Sequence, residues 1–443
     1  MTNNDINNEL KKDVDTIIFH SYSTTENEKR FLEHFTVPQN ITDAQSIINI
    51  FKDKKLGNNA LSIVFSHDNY LDNNGGIQKC IQIEEKIARK KGEDYLHIYP
   101  VMPRVWIATN NPISTIPIAL ILNGELIAQT NATELARALK TVTIKKLSSI
   151  IHSLLGHNLD DIINIVTAAH KKPKWFFWLH DYTSICSNFN LLRNNVTYCD
   201  APSASSLQCK FCNSGKERAS FTLLMKDFFE KTNPIVISPS EFTKNLWLNK
   251  TNYKYSKIKV VNHYNFGKAY SKPSAKNNTN TLQDNEIKLA YVGTVGYHKG
   301  WNDFIDFARN LKLANLPFSF YVFAKQAPPS DLYKHINVEI NSQKTMQEQL
   351  IENEIDVAFI GSIWPETFCL TAYEALAADA FLVVNHLAGN VVDLIKKSKN
   401  GYIYHGTNDL INYLSDENTH NSLYKKRLNK KYHELIISDM TYS

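Results

Sequence analysis

The 443-residue chain has no apolar run long enough to span a bilayer. Its opening residues, MTNNDINNELKKD, are polar rather than signal-like, which points to a cytoplasmic protein. Only six cysteines are present, and in that compartment they argue against a disulfide frame and towards thiols or a metal. Charge of either sign is nearly balanced: the net +5 suits anionic ligands or a membrane surface without demanding nucleic acid. The basic residues are dispersed and no aromatic stacking platform accompanies them, so no nucleic-acid partner is expected. No internal repeat of fixed period is visible, which excludes a solenoid. No Walker loop is present, and no Asp-x-Asp pair stands out as a metal site.

What is there is an alternation of short apolar runs with segments of helical spacing, the pattern of an α/β protein with two or three domains. One stretch organises the rest, DVAFIGSIWPETFCLTAYEALAADAFLVVNHLAGN, from Asp356 to Asn390. Asp356–Ile360 reads as a strand, Gly361–Pro365 as a turn, Glu366–Ala378 as a helix and Phe381–Val384 as a second strand. A strand, a tight turn and a helix start form an anion site, because unbonded N–H groups and the helix dipole both face the turn. Glu366 and Glu374 lie eight residues apart, one at the helix mouth and one two turns in. Two carboxylates repel phosphate, so beside such a site they suit hydroxyls, as on the two sugars of a nucleotide-sugar.

A second loop shares this character. Ile287–Val292 is a strand, followed by Gly293-Thr294-Val295-Gly296-Tyr297-His298-Lys299-Gly300 and a helix from Trp301. Its glycines permit close approach to a phosphate, and Lys299 supplies counter-charge, with His298 or Lys325 as helpers.

In the first half, the strand Ala60–Phe65 leads through Asn73-Asn74-Gly75-Gly76 into a helix from Ile77 to Lys91. Gly75 and Gly76 let a ligand approach the backbone, or else make a plain strand–helix turn. Trp106–Thr109 and Ile116–Leu122 read as strands around a hairpin signal at Asn123-Gly124, and Thr141–Ile144 as extended. His152 and His157 flank Gly156 at a spacing poor for one helix face; they are cleft-lining at best, or else core or capping histidines. The aromatic strand Trp175–Leu179 ends in His180-Asp181-Tyr182, and in doubly wound sheets ligands bind beyond such strand ends. Cys186, Cys199, Cys209 and Cys212 follow in a polar stretch with little periodicity. Four thiolates around a structural Zn²⁺ would hold it, with free or redox-active thiols as the alternative. Arg193 and Arg218 flank it, as acceptor-phosphate ligands or surface ion-pair partners.

The E-x7-E spacing in PETFCLTAYEALA resembles the donor-site signature of retaining glycosyltransferases of family 4. WLHDY resembles that family's LHD-type stretch, and an HDY-x-x-C start with a final C-x2-C occurs in some of its members. This resemblance runs from about Leu61 to Tyr404 and implies the GT-B fold, two Rossmann-like parallel-sheet lobes facing a cleft. It implies that Glu366 faces the donor sugar, that Glu374 holds the ribose, and that Phe368, Cys369 and Leu370 present N–H groups to the diphosphate. Thr294, Gly296 and Lys299 correspond to the family's phosphate loop, where Thr294 replaces an expected Arg. His180 falls on the catalytic histidine near the reacting sugar, with Asp181, Gly75 and Gly76 on the acceptor side. No catalytic metal is implied.

The expected layout is an N-terminal extension (1–59), an acceptor-binding lobe (60–235) with the cysteine cluster, a nucleotide-sugar-binding lobe (236–420) and a basic helical tail (421–443). That tail is a solvated face or a peripheral contact with the inner face of the cell membrane. The expected function is retaining transfer of a sugar from a nucleotide-sugar to a glycan or lipid-linked acceptor, in cell-surface polysaccharide synthesis. Rivals are a nucleotide-sugar epimerase or hydrolase of the same fold, a catalytically dead two-lobed binding protein, and a non-catalytic zinc-containing or nucleic-acid-binding protein.

Overall fold

The computed structural model describes residues 41–56, 60–73, 75–102, 104–108, 116–271, 286–338 and 344–443. Thr16–His20, whose residues read as a strand, most of the N-terminal extension, and most of Tyr270–Asp284, whose composition reads as a linker, lie outside them. The chain divides into two compact units: residues 1–239, 244–261 and 439–443, and residues 240–243 and 262–438. The division thus falls later than the expected 235/236 boundary, after one more strand, and the last five residues return to the first unit.

The first unit is built on an eight-stranded sheet. Its strands are β1 (Leu61–Phe65), β2 (Asp94–Pro100), β3 (Ile118–Leu122), β4 (Glu125–Thr130), β5 (Leu147–Ile151), β6 (Lys174–Trp178), β9 (Ile235–Ser238) and β10 (Lys257–Val260). The two-residue strands β7 (Leu192–Arg193) and β8 (Thr197–Tyr198) form a separate ladder. The order is β10-β9-β6-β5-β1-β2-β3-β4, parallel from β10 to β2 and antiparallel beyond. Asn123 and Gly124 both adopt positive φ (52° and 87°), the turn that a two-residue hairpin between twisted strands requires. The hairpin joins β3 to β4 rather than to a strand at Trp106–Thr109; Trp106–Ala108 is a buried loop. Thr141–Ile144 is a turn ahead of β5, not a strand. Because β1 is paired on both sides, all five of its residues are buried, as its continuous apolar run anticipates.

In the second unit six parallel strands stand in the order β14-β13-β12-β15-β16-β17: β12 (Ile287–Val292), β13 (Phe318–Ala324), β14 (Lys334–Asn337), β15 (Val357–Ile360), β16 (Phe381–Asn385) and β17 (Gly401–Tyr404). In chain order that is 3-2-1-4-5-6, the doubly wound dinucleotide-binding arrangement. Alternation along β12 feeds two cores, Leu289 and Tyr291 into one, Ala290 and Val292 into the other. β11 (Tyr264–Tyr270) and β18 (Tyr432–Ile437) form an antiparallel pair in this unit.

The tail is therefore not simply helical. The helices Thr407–Ser415 and Glu417–Arg427 precede β18. Three of its basic residues are structural: Arg427 donates to Asp356 from Nε (3.0 Å) and Nη2 (2.5 Å), Lys430 lies 3.5 Å from Asp356, and Lys426 pairs with Asp379. Asp356 is 4% exposed, and a carboxylate so buried needs such partners. Among the described residues no helix is long and apolar enough to cross a membrane.

Candidate active site

The site in the second unit sits where its strand order reverses. β12 and β15 are neighbours, but their following crossovers run to opposite sides, the switch point beyond whose strand ends doubly wound sheets bind their ligands. The loops leaving those ends are residues 293–300 and 361–369. They touch: Gly300, with φ +76°, packs so closely that a Cβ would lie 2.1 Å from the Gly361 carbonyl oxygen. Glycine is required there on both counts. The Ile363 N–H donates to the His298 carbonyl (3.1 Å) and ties the loops again.

Within this frame Lys299 donates to Glu366 Oε1 at 2.6 Å, and Ser362 Oγ donates to the same oxygen at 2.5 Å. Lys299 also lies 5.1 Å over the Trp364 ring, a cation–π contact. Burial disfavours the Lys299 charge, but Glu366 and the hydrogen bond to it prevail and hold its pKa above the ordinary value. His298 is pushed down to about 4 by burial and by the Lys299 charge, so it is neutral at physiological pH. Thr294 is exposed, and its carbonyl accepts from Tyr291 Oη (2.7 Å). Gly296 precedes the single 3₁₀ turn Tyr297–Lys299.

The helix expected from Glu366 begins only at Leu370 and runs to Ala377. Backbone groups ahead of it are committed elsewhere. The Glu366 carbonyl accepts from Asn390 N–H (3.0 Å), and the Thr367 carbonyl accepts from Ser240 Oγ (2.8 Å) and Thr243 Oγ1 (3.2 Å). Glu366 is thus a loop residue, and Gly389, at φ +57°, must lack a Cβ because one would sit 2.8 Å from the Glu366 nitrogen. Cys369 is the N-cap and offers no side-chain cap, leaving the N–H groups of the first turn unbonded by its own side chain. Its thiol is pushed up to about 11 by burial and the nearby Glu366 charge, so it is neutral. Phe368 stacks on Tyr373 at 4.2 Å. Glu374 lies in the second turn, 4% exposed, and accepts from Tyr264 Oη at 3.3 Å.

In the first unit the reversal falls between β1 and β5, where His152 and His180 follow the ends of β5 and β6 and His97 lies within β2. His180 Nε2 lies 2.8 Å from His152 Nδ1, and His152 Nε2 lies 3.0 Å from Glu84 Oε2. His97 Nε2 bonds Ser66 Oγ (2.7 Å), and His157 Nε2 donates to the Ser66 carbonyl (2.7 Å). His157 is thus a core histidine, whereas His152 joins His180. Glu84 and His97 were missed as polar members of this cluster; the only signal was a charged or titratable residue on the inward face of a helix or strand. Gly75 caps the helix Gly76–Lys90 at an ordinary φ of −88°, so glycine is not conformationally required there. Asp181 accepts from Thr183 N–H (2.9 Å) and from the Thr183 hydroxyl, holding its own turn. Burial raises its pKa above the ordinary value against those bonds.

Cys186, Cys209 and Cys212 are buried and Cys199 is half-buried; none is in a disulfide. The thiols sense one another's charge: burial pushes Cys186 up to about 11, with Cys199 and Cys212 adding to the rise. Arg218 is not a surface residue but is drawn into this segment. Its Nη1 donates to Cys209 Sγ (3.3 Å) and to the Pro202 carbonyl, and its Nη2 donates to the Ala201 carbonyl (3.2 Å). The residue types suit a divalent ion, but no three of these four thiols come within 4.8 Å of one another, so the structure does not gather them into a closed metal site.

Two parallel-sheet α/β units, the second with the dinucleotide-binding strand order and a lysine–glutamate loop pair at its reversal, have the makeup of the GT-B fold. Residues 274–431 match the family model described as Glycosyl transferases group 1, so the second unit carries that group's domain and the chain is a glycosyltransferase. Among solved structures the chain is similar to the HepE protein of Anabaena in complex with UDP-glucose (12% identity, 83% of this chain and 91% of that one, TM-score 0.49). It is also similar to a glycosyltransferase from Rickettsia africae (12%, 84% and 94%, TM-score 0.47). A third similar structure is WaaG, a glycosyltransferase involved in lipopolysaccharide biosynthesis (10%, 83% and 94%, TM-score 0.45). No curated protein matches the chain.

Proposed function

We propose that the chain transfers a sugar from a nucleotide-sugar to a glycan or lipid-linked acceptor, with retention at the anomeric carbon and in the synthesis of a cell-surface polysaccharide. The observation that supports this best is the Lys299–Glu366–Ser362 cluster at the strand reversal of the group 1 domain, ahead of a helix start. Lys299 and the N–H groups at Phe368, Cys369 and Leu370 neutralise the leaving diphosphate; preorganised donors of this kind usually supply the largest share of rate enhancement. Glu366 orients the donor sugar and Glu374 the ribose. Because Lys299 already pairs with Glu366, an incoming phosphate shares the ammonium with that carboxylate and so couples phosphate binding to sugar orientation. His180 serves the acceptor side. On the cysteine spacing and the resemblance, the four cysteines would have to close up around a structural zinc ion, which elemental analysis of the purified protein checks: one zinc per chain is expected, and none removes the site.

The test is a panel of nucleotide-sugars incubated with and without glycan acceptors. Nucleotide release that needs an acceptor, with an anomerically retained product, is expected. Release without acceptor identifies a hydrolase, and binding without turnover a non-catalytic protein.

A further inference from the structure

The first unit holds a carboxylate that the transfer scheme does not use. Glu84 projects from the helix Gly76–Lys90 and is fully buried, as is the His152 side chain that it meets. A bare carboxylate at such depth would be costly, yet this one accepts from three donors besides the core around it. His152 Nε2 lies at 3.0 Å, Tyr95 Oη donates at 2.9 Å, and the Thr441 N–H donates at 3.3 Å. Burial opposes its ionisation, but the pairing with His152 and the bonds from Thr441 and Tyr95 outweigh it and hold the carboxyl below its ordinary range. The support is itself fixed. Thr441 Oγ1 accepts from Trp178 Nε1 (2.8 Å), Tyr442 Oη meets Ser62 Oγ (3.1 Å), and Met440 is buried in the same core. Trp178, His152 and His180 present near-parallel rings, within 15° of one another.

An ionised carboxylate only accepts, so His152 presents Nε2–H to it. In a neutral His152 the Nδ1 then accepts, and the partner 2.8 Å away, His180 Nε2, is the donor; an imidazolium at His152 would reverse that bond. We propose that Glu84 is a positioning residue, acting through His152 to fix the ring plane of His180 and the tautomer with the proton on Nε2, so that Nδ1 is the accepting nitrogen. Its effect on transfer rests on the reading of His180 as an acceptor-side residue; the relay itself does not. Such outer partners set which nitrogen of an imidazole is protonated, and an imidazole in the wrong tautomer is inactive however well it is placed.

The test is nitrogen NMR of histidine-labelled full-length protein, with the His180 signals assigned by His180→Gln, on wild type and on Glu84→Gln, Glu84→Asp and His152→Gln. Wild type is expected to show His180 as the Nε2–H tautomer, and Glu84→Gln a mixture of tautomers. Transfer by Glu84→Gln should fall about 10–100-fold in kcat with the donor KM little changed, and Glu84→Asp should recover part of it. A wild-type Nδ1–H tautomer overturns the proposal without any variant having to fold. A Glu84→Gln protein with the wild-type tautomer, or with full kcat while His180→Ala is inactive, overturns it as well. If His180→Ala retains full activity while the tautomer shift appears as predicted, the relay stands and the acceptor-side reading of His180 fails.

Discussion

At the scale of single residues, two carboxylates of the second unit have different supports and so should fail differently. Glu366 is 4% exposed and held by Lys299 and Ser362. Lys299→Ala leaves it with the serine alone. A lost hydrogen bond between charged groups costs about 2 kcal/mol, a drop in unfolding free energy that urea titration reads. The same variant should bind nucleoside diphosphate about 10-fold or more weakly by calorimetry, because it lacks the counter-charge. Unchanged affinity would remove the phosphate role from residues 293–300. Glu374→Ala should weaken donor binding while leaving kcat at saturation nearly intact if the carboxylate grips ribose in ground and transition states alike. Normal donor affinity in that variant rules the ribose role out.

At the scale of elements, the close crossing of the two loops is the feature most exposed to a single methyl group. Gly300→Ala combines a left-handed backbone position with a Cβ 2.1 Å from the Gly361 oxygen. Strain and overpacking together should cost about 2–4 kcal/mol, measured as a fall in melting temperature, with donor binding lost at temperatures where the fold persists. This crossing was not legible in the sequence, where the two loops lie 61 residues apart between Gly300 and Gly361. What was legible is what local pattern dictates: β1, β6, β12 and β15 as buried runs, and the Asn123-Gly124 turn by its φ requirement. Apolar spacing extends back to Glu366, so the sequence alone starts the helix there. The backbone there is instead bound by Ser240, Thr243 and Asn390, partners that only the fold supplies. β18 was hidden because its residues alternate weakly and its partner β11 lies far away in sequence. The basic run at Lys425–Lys431 has the pattern of a solvated face, whereas Asp356 and Asp379, distant in sequence, draw Lys426, Arg427 and Lys430 inward. His152 escaped assignment for the same reason, since Glu84 lies 68 residues away.

At the scale of the whole molecule, buried histidines make stability depend on pH. Burial pushes His157 down to about 4 and His97 well below its ordinary value. Between the unfolded value near 6.5 and the folded one, the unfolded chain binds more protons, so stability rises with pH; it is fully present above about 6.5 and lost as pH falls towards 4. Each such histidine contributes a slope of up to about 1.4 kcal/mol per pH unit in that window. Urea midpoints at pH 7.5, 6.0 and 5.0 should therefore fall steadily, and His157→Gln should flatten the fall; a pH-independent midpoint contradicts the buried neutral histidines.

The central claim is that the group 1 domain holds the diphosphate of an activated sugar at its strand reversal, through Lys299. Calorimetric titration of a panel of nucleotide-sugars into wild type and Lys299→Ala tests it most directly. At least one donor should bind wild type with a dissociation constant of roughly 1 μM to 1 mM, the ordinary range for enzyme substrates, and bind the variant about 10-fold or more weakly. A donor that binds both proteins equally, or a panel from which none binds, would contradict it.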